Sequence, residues 1–392
     1  MQEKQAKVGI IGGGLAGIYT AYLLAQNKIS FELIEAKPIL GGRIYGEETH
    51  VSAYKMDLGP SWIFPHQQEI QTLVTELGLR LIEQNTAGDA VFQRNAHEPP
   101  QQISGVAPPP MYRIFGGTTK LIDSLANRIN QKCSYVSTTV TSLRSDGKYW
   151  HLGLQRNTLA GNFDDLSQSD PSRKSSRLGS ASYEHIVIAT PPRVIAHLLK
   201  SGETTSVNAN GFLSALASKF EQTPTWMAAQ AKFAVTYDQP FWRDRGLSGQ
   251  AFSQVGPLGE IHDASFEDSE GNSVFALFGF VGIPFAHRQH ASGEQMKTAC
   301  LAQLSAIFGS QANKYTQTYY KDWGTDNFTA TNLDQKQASA HPHIDLAFEQ
   351  AELQQLKLHL ATSEFSEHDA GYMEGAILAA TRSVKNILSS VS

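Results

Sequence analysis

Hydrophobic positions near the start of the chain change period twice within 30 residues. Val8, Ile10 and Ile11 form a short β-branched run that predicts a buried parallel strand. The apolar stretch Leu15 to Leu24 predicts a helix, and Phe31 to Glu35 a second strand, so the opening reads as one strand–helix–strand unit. Farther on, Ile70, Leu73, Val74 and Leu77 recur at helical spacing within Gln67 to Leu81, with Gly78 suited to the C-terminal cap. Five prolines and little periodicity between Asn95 and Pro110 predict a loop between domains. Gly116-Gly117-Thr118-Thr119 then predicts the cap of a helix from Lys120 to Ile129.

Strands are expected at Tyr135 to Leu143, Tyr149 to Leu154 and Tyr183 to Ala189. Between the last two, Asn157 to Ser182 is Ser-rich and charged with few apolar anchors, which predicts a solvated, mobile insertion in a hairpin. Thr190 before Pro191 and Pro192 predicts a helix start with a hydroxyl N-cap and proline at the first turn. From Pro224 the pattern becomes strand-like at Trp226 to Tyr237, Gly249 to Ser253 and Val274 to Phe280, marking a second domain. A helix from Gly293 to Phe308 and a strand from Tyr315 to Trp323 complete it. A strand from Lys357 to Ala361 and a glycine-entered helix from Gly371 to Leu388 close the chain.

The glycines between the first strand and helix supply the first candidate chemistry. Gly12 permits a tight turn, Gly14 lets a pyrophosphate approach the backbone, and Gly17 lets helix and strand pack closely, with the helix N-terminus facing the anion. Glu35 closes the second strand and would accept hydrogen bonds from adenosine ribose hydroxyls. A carboxylate there also repels a ribose 2′-phosphate, so FAD or NAD is favoured over NADP. The motif leaves those two open.

Length and composition narrow the class. A chain of 392 residues with 41% hydrophobic residues is long enough for two or three domains. Net charge is −5 with the signs interspersed, and no basic run would track a phosphate backbone, so nucleic acid is not an expected partner. Cys133 and Cys300 are the only cysteines, far apart, and are expected as free thiols in a reducing compartment. Glycines interrupt the apolar stretch Val8 to Ala25, which argues against a signal peptide or membrane span and points to a cytoplasmic protein. His262, His287 and His290 lack metal-site spacing, and no metal is expected.

Taken together, these pieces resemble the flavin-dependent amine oxidases, the family of monoamine, polyamine and L-amino-acid oxidases. The N-terminal match is Gly12-Gly13-Gly14-Leu15-Ala16-Gly17, Glu35-Ala36-Lys37, Gly41-Gly42-Arg43 and Asp57-Leu58-Gly59-Pro60-Ser61-Trp62. The C-terminal match is Ala361-Thr362-Ser363-Glu364 and Gly371-Tyr372-Met373-Glu374-Gly375-Ala376. The resemblance implies an α/β fold, a Rossmann-like FAD-binding domain with an inserted α+β substrate domain carrying a mixed or antiparallel sheet. The FAD-binding segments would be 1–66, 113–200 (with the insertion at 157–182) and 341–392, and the substrate segments 67–112 and 201–340.

It also implies non-covalent FAD, held along Gly12, Gly14, Ala16, Gly17, Ala36, Gly42, Gly59, Pro60, Ser61 and Trp62. Glu35 would hold the ribose, Lys37 would lie near the adenine, Arg43 near the pyrophosphate, and Val140 would touch the adenine through its backbone. Glu364 would bind the ribityl-pyrophosphate part, and Met373 would present its amide to the flavin pyrimidine edge. Lys232, within a segment ending Pro240-Phe241-Trp242-Arg243, would hold a water against flavin N5, although a solvated strand lysine shows the same alternation. Tyr372 and Trp323 would stand beside the ring. The family's second cage tyrosine falls on Leu333 and its flavin-attaching cysteine on Asn332, so the cage is incomplete.

The resulting expectation is hydride transfer from a C–H next to nitrogen, in a hydrophobic small-molecule amine, with oxygen as acceptor. Rivals are a flavin desaturase or isomerase acting on a carbon skeleton, an NAD-dependent dehydrogenase, and a flavoprotein serving only in binding or assembly.

Overall fold

The computed structural model describes residues 7–51, 53–106, 108–129, 134–157, 176–268, 272–336 and 341–390. Strand β1 (Val8–Ile11) is buried at all four positions. It pairs in parallel with β2 (Phe31–Ile34) and with His185–Ile188, which suits a strand covered on both faces. Leu358–Leu360 and Ser134–Tyr135 extend the sheet to five parallel strands. On one face its apolar side chains join α1 (Leu15–Gln26), the helices Gln68–Glu76 and Thr119–Ala126, and the last helix, Met373–Ser389. On the other they meet the antiparallel strands Thr138–Ser145 and Trp150–Arg156 and the helices Pro192–Lys200 and Val207–Gln222. This is the expected Rossmann-like α/β domain.

The second sheet has eight strands, running Tyr315–Asp322, Ala231–Tyr237, Ser273–Val281, Leu258–Asp263, Leu247–Ser253, Asp89–Gln93 and Gln101–Ile103, with Phe266–Glu267 off this path. All its pairs are antiparallel except that between Leu247–Ser253 and Asp89–Gln93. Helix Gly293–Phe308, started by a reciprocal Ser292/Gln295 capping box, packs against one face. The opposite face rests on Tyr54, Met56 and Leu58. Strand Ala231–Tyr237 is therefore buried at every position, its odd-numbered residues in the first core and Ala234 in the second. Lys232 shares the Ala234 face, which is the face toward the nucleotide-side loops.

Several sequence expectations need correction. The helix near residue 70 ends at Glu76, and the chain becomes a strand at Leu81–Glu83. Within the proline-rich stretch, Gln101–Ile103 lies between Pro99-Pro100 and Pro108-Pro109-Pro110 and forms an edge strand. Residues 176–182, expected in the mobile insertion, belong to the strand Ser176–Tyr183, which pairs with Trp150–Arg156. The rest of that insertion, 158–175, lies outside the described residues, as does Cys133.

Pro191 rather than Thr190 is the N-cap of its helix. Helix Val207–Gln222, capped by the Ser206 hydroxyl, escaped the pattern reading because polar residues dilute its apolar stripe. Helices Gln68–Glu76 and Val207–Gln222 were both drawn into the inserted domain, yet they pack in the nucleotide-side cores. Cys300 is buried as a free thiol, and burial pushes its pKa up to about 12. No described helix is long and apolar enough to cross a membrane, and no described cluster has the makings of a metal site.

Candidate active site

A cavity of about 1320 Å³ lies between the two sheets. That exceeds the usual 300–1,000 Å³ of a site for one small ligand and suits a dinucleotide together with a substrate. Of the residues assigned from sequence to the cofactor or to catalysis, all but Gly17 and Glu364 line it.

At the first turn, Gly12 has φ +103°, and a side chain there would strike the Ala189 carbonyl at 2.7 Å. A Cβ on Gly17 would come within 1.9 Å of the Gly12 carbonyl, so its bareness seats α1 on β1 rather than touching the cavity. Gly14 differs, because an added Cβ would meet nothing nearer than Gly42 Cα at 3.7 Å. Here the missing side chain leaves the backbone open on the ligand side. The first turn of α1 carries no acidic residue, and its leading N–H groups have no intrahelical acceptor. With Gly14 and Ala16 on the cavity wall, this is a cradle for an anion.

Glu35 is buried, and its two oxygens accept from Gly13 N at 2.6 Å and Lys37 N at 2.7 Å. Burial raises its pKa, and those two amide bonds offset part of the rise. Each oxygen keeps a lone pair able to accept a further hydrogen bond. Ala36 lines the wall beside it, and Val140 lines it at the bulge between Val140 and Ser142. Lys37 lines the cavity too, but its ammonium group pairs with Asp326 and lies 5.4 Å from the Trp323 ring.

Arg43 was expected near the pyrophosphate and Glu364 on the ribityl-pyrophosphate part, and the structure joins the two side chains to each other. Arg43 donates to both Glu364 oxygens, at 2.6 and 2.9 Å. Glu364 also accepts from Thr362, Ser363 and the Trp226 amide, and it is fully buried. Burial would raise its carboxyl, but the Arg43 charge and hydrogen bonds hold it below the usual range. Glu364 therefore aims Arg43 and does not itself reach the cavity.

The loop that follows Asp57 organises the other wall. Lys232 Nζ donates to Gly59 O at 3.0 Å and to Ser61 Oγ at 2.6 Å, while Trp323 Nε1 donates to Leu58 O at 2.8 Å. Pro60 and Trp62 line the cavity, and Trp62 Nε1 is fixed by Gln84 at 2.9 Å. Lys232 is 2% exposed, so the solvated-strand alternative fails. Its ammonium lies 4.2 Å from the Phe278 ring centroid, and burial pulls its pKa down to about 7.

Met373 begins a 17-residue helix whose N-terminus faces the cavity, with Tyr372 as N-cap. Leu333 is exposed and does not complete an aromatic cage. Tyr372 instead has Trp226 at 6.1 Å, Phe64 at 6.0 Å and His341 at 5.4 Å between ring centroids. Phe280, Ile283 and Phe285 make the adjoining wall apolar.

Sequence reasoning passed over four contributors. Trp226 and Thr190 line the cavity, Thr190 with an Oγ that has no hydrogen-bond partner among the described residues. Glu374 caps the helix Gln68–Glu76 through Glu69 N and Ile70 N. Asp57 sits buried at the root of the lysine-holding loop. Only Asp57 and Glu374 had a signal, being the charged members of apolar motifs.

Comparison with known proteins matches residues 111–388 to the family model of flavin containing amine oxidoreductases and residues 10–77 to that of NAD(P)-binding Rossmann-like domains. The chain is 23% identical to the flavin-containing amine oxidase B of Rattus norvegicus, over 99% of this chain and 87% of that one. It is also 23% identical to an L-amino acid dehydrogenase of Synechocystis, over 97% and 94%. Cyclohexylamine oxidase from Brevibacterium oxydans superposes with a TM-score of 0.74 at 17% identity, covering 99% of this chain and all of that one.

Proposed function

Because the chain belongs to the flavin-containing amine oxidoreductases and uses FAD, we propose that it oxidises a hydrophobic amine or amino acid. A bound FAD would supply the redox chemistry, as acceptor of a hydride from the carbon next to nitrogen, with oxygen as the final electron acceptor and hydrogen peroxide as its product. The protein's part is to bind, orient and exclude water.

In this reading the N-terminus of α1, Gly14, Ala16, Gly42 and Arg43 hold the pyrophosphate. Glu35 takes the adenosine ribose, with Ala36, Lys37 and Val140 about the adenine. Gly59 to Trp62 and the N-terminus of the helix at Met373 surround the ring system, where a helix dipole favours developing negative charge. Tyr372, with Trp226 and Phe64, orients the amine from one side. Phe280, Ile283 and Phe285 exclude water on the other and select an apolar substituent. Lys232 points its remaining N–H bond into the site.

One observation carries this reading. A buried lysine, hydrogen-bonded to Gly59 O and Ser61 Oγ, stands on the wall of the same cavity as the glycine cradle.

The test is anaerobic mixing of the purified protein with a panel of amines and amino acids, watching the flavin absorbance. Bleaching by an apolar amine is expected, with peroxide on admission of air. Bleaching only by substrates that lose hydrogen from a carbon–carbon bond would replace this function with a desaturase.

A further inference from the structure

The cations around the cavity are not all held alike. Lys37 is paired with Asp326, Arg43 with Glu364, Arg193 with Asp334 and Arg288 with Asp322. Lys232, as buried as any of them, is bonded among the described residues only to uncharged oxygens, those of Gly59 and Ser61. A buried ammonium without a compensating anion is costly and tends to lose its proton instead.

The anion is at the root of the same loop. Asp57 is 4% exposed and lies two residues before Gly59. Its Oδ1 is fixed by the Thr118 amide at 2.8 Å and the Thr118 hydroxyl at 2.7 Å. Its Oδ2 is buried with no hydrogen-bond partner among the described residues. A carboxylate pinned by one oxygen, with the other left unbonded in the interior, acts on its surroundings through its charge. Burial pushes the Asp57 carboxyl up from its ordinary range, and the Lys232 charge, the Thr118 hydrogen bonds and the Arg113 charge pull it back toward the ionised form.

Arg113 is itself buried, tied by its terminal nitrogens to the carbonyls of Ala264 and Ser265. Its charge opposes that of Lys232 while supporting the ionised form of Asp57. The other charged or titratable groups on neighbouring strands are Lys321, in register with Lys232, and Glu260 and His262 one strand beyond Phe280 and Phe278. Lys321 lies over the Tyr45 and Trp323 rings, and Glu260 is turned to solvent with His262 at 3.5 Å.

We propose that Asp57 is a positioning residue for Lys232, a buried carboxylate whose negative charge favours the protonated lysine and so the third N–H it can offer to the cavity. A neutral amine would have only two N–H bonds, both needed for Gly59 O and Ser61 Oγ. Arg113 sets the limit of the effect by working against it. The catalytic consequence rests on the reading of Lys232 given above, but the charge relationship does not depend on turnover.

The experiment uses the FAD-loaded protein carrying [ε-¹³C]lysine, with the Lys232 signal assigned from its absence in Lys232→Met and titrated by NMR. The expected wild-type midpoint is near 7. Asp57→Asn keeps the acceptor for Thr118 while removing the charge, and is expected to lower the midpoint by about 1 pH unit or more. Arg113→Met is expected to raise it, so either variant alone tests the proposal if the other does not fold. An Asp57→Asn midpoint equal to wild type, or an Arg113→Met midpoint that falls or stays, would overturn it. Shifts as expected in a protein that no amine reduces would preserve this inference and refute the proposed function.

Discussion

Arg43 and Glu364 lie 321 positions apart in the chain and meet as a two-pronged ion pair, with N–O distances of 2.6 and 2.9 Å. The pair closes the second glycine turn, at Gly41 and Gly42, onto the end of the last parallel strand. Removing Glu364 leaves a guanidinium partly buried and without its anion, which is more harmful than losing the pair as a whole. Glu364→Ala is expected to lower unfolding stability by about 3 kcal/mol and to reduce FAD retention. Chemical denaturation and the flavin-to-protein absorbance ratio check both. Stability and occupancy equal to wild type would remove Glu364 from this role.

The glycines separate scaffold from site. Gly17→Ala drives a methyl group to 1.9 Å from the Gly12 carbonyl and is expected to give little folded protein. Gly14→Ala has room at 3.7 Å and is expected to fold with near-native melting, while FAD binding weakens by about tenfold or more. Circular dichroism with FAD titration of the stripped protein distinguishes the two. A Gly14→Ala variant that binds FAD normally would move the pyrophosphate away from this turn.

Lys232→Met is expected to retain FAD and to slow flavin reduction or reoxidation by about a hundredfold. Stability carries a second signature. Because burial depresses the lysine pKa to about 7, the unfolded chain binds the extra proton between pH 7 and the ordinary lysine range. Wild-type stability relative to Lys232→Met should therefore rise with pH across that window. Equal rates in both half-reactions and a flat difference would make Lys232 a bystander.

How much of this was legible beforehand follows from range of interaction. The unit from Val8 to Glu35 could be read because its strand, turn and helix are specified by neighbours in sequence, and the structure reproduces it within two residues. Lys232 could be placed on the correct strand, but not the carbonyl that holds it, since Gly59 is 173 residues away. A similarly long separation in sequence hid Trp226 beside Tyr372. Glu364 was read as a ligand because a carboxylate in a motif looks alike whether it faces a cofactor or aims an arginine. Thr190 was read as a cap from local propensity, but the proline after it took the capping position and left the hydroxyl buried without a hydrogen-bond partner among the described residues.

His185 and His359 form a buried pair between adjacent parallel strands, with ring nitrogens 3.1 Å apart. Burial lowers their pKa values to about 4 and about 3, with the Lys357 and Lys7 charges adding to the effect on His185 and Glu184 opposing it. Both fold in the neutral form, so acidification protonates the unfolded chain first. Stability is expected to fall as pH drops from about 6.5 toward 4, at up to about 1.4 kcal/mol per pH unit for each histidine. Denaturant titrations of wild type and His185→Phe/His359→Leu check this, the variant losing that part of the slope. An unchanged slope would show that the pair does not govern acid stability.

The cofactor itself gives the most direct measurement. The purified protein is expected to be yellow, with about one FAD per chain, and acid precipitation should leave all the colour in solution because Asn332 offers no thiol for attachment. A colourless protein that takes up no added FAD, or a flavin that stays with the precipitate, would contradict the account.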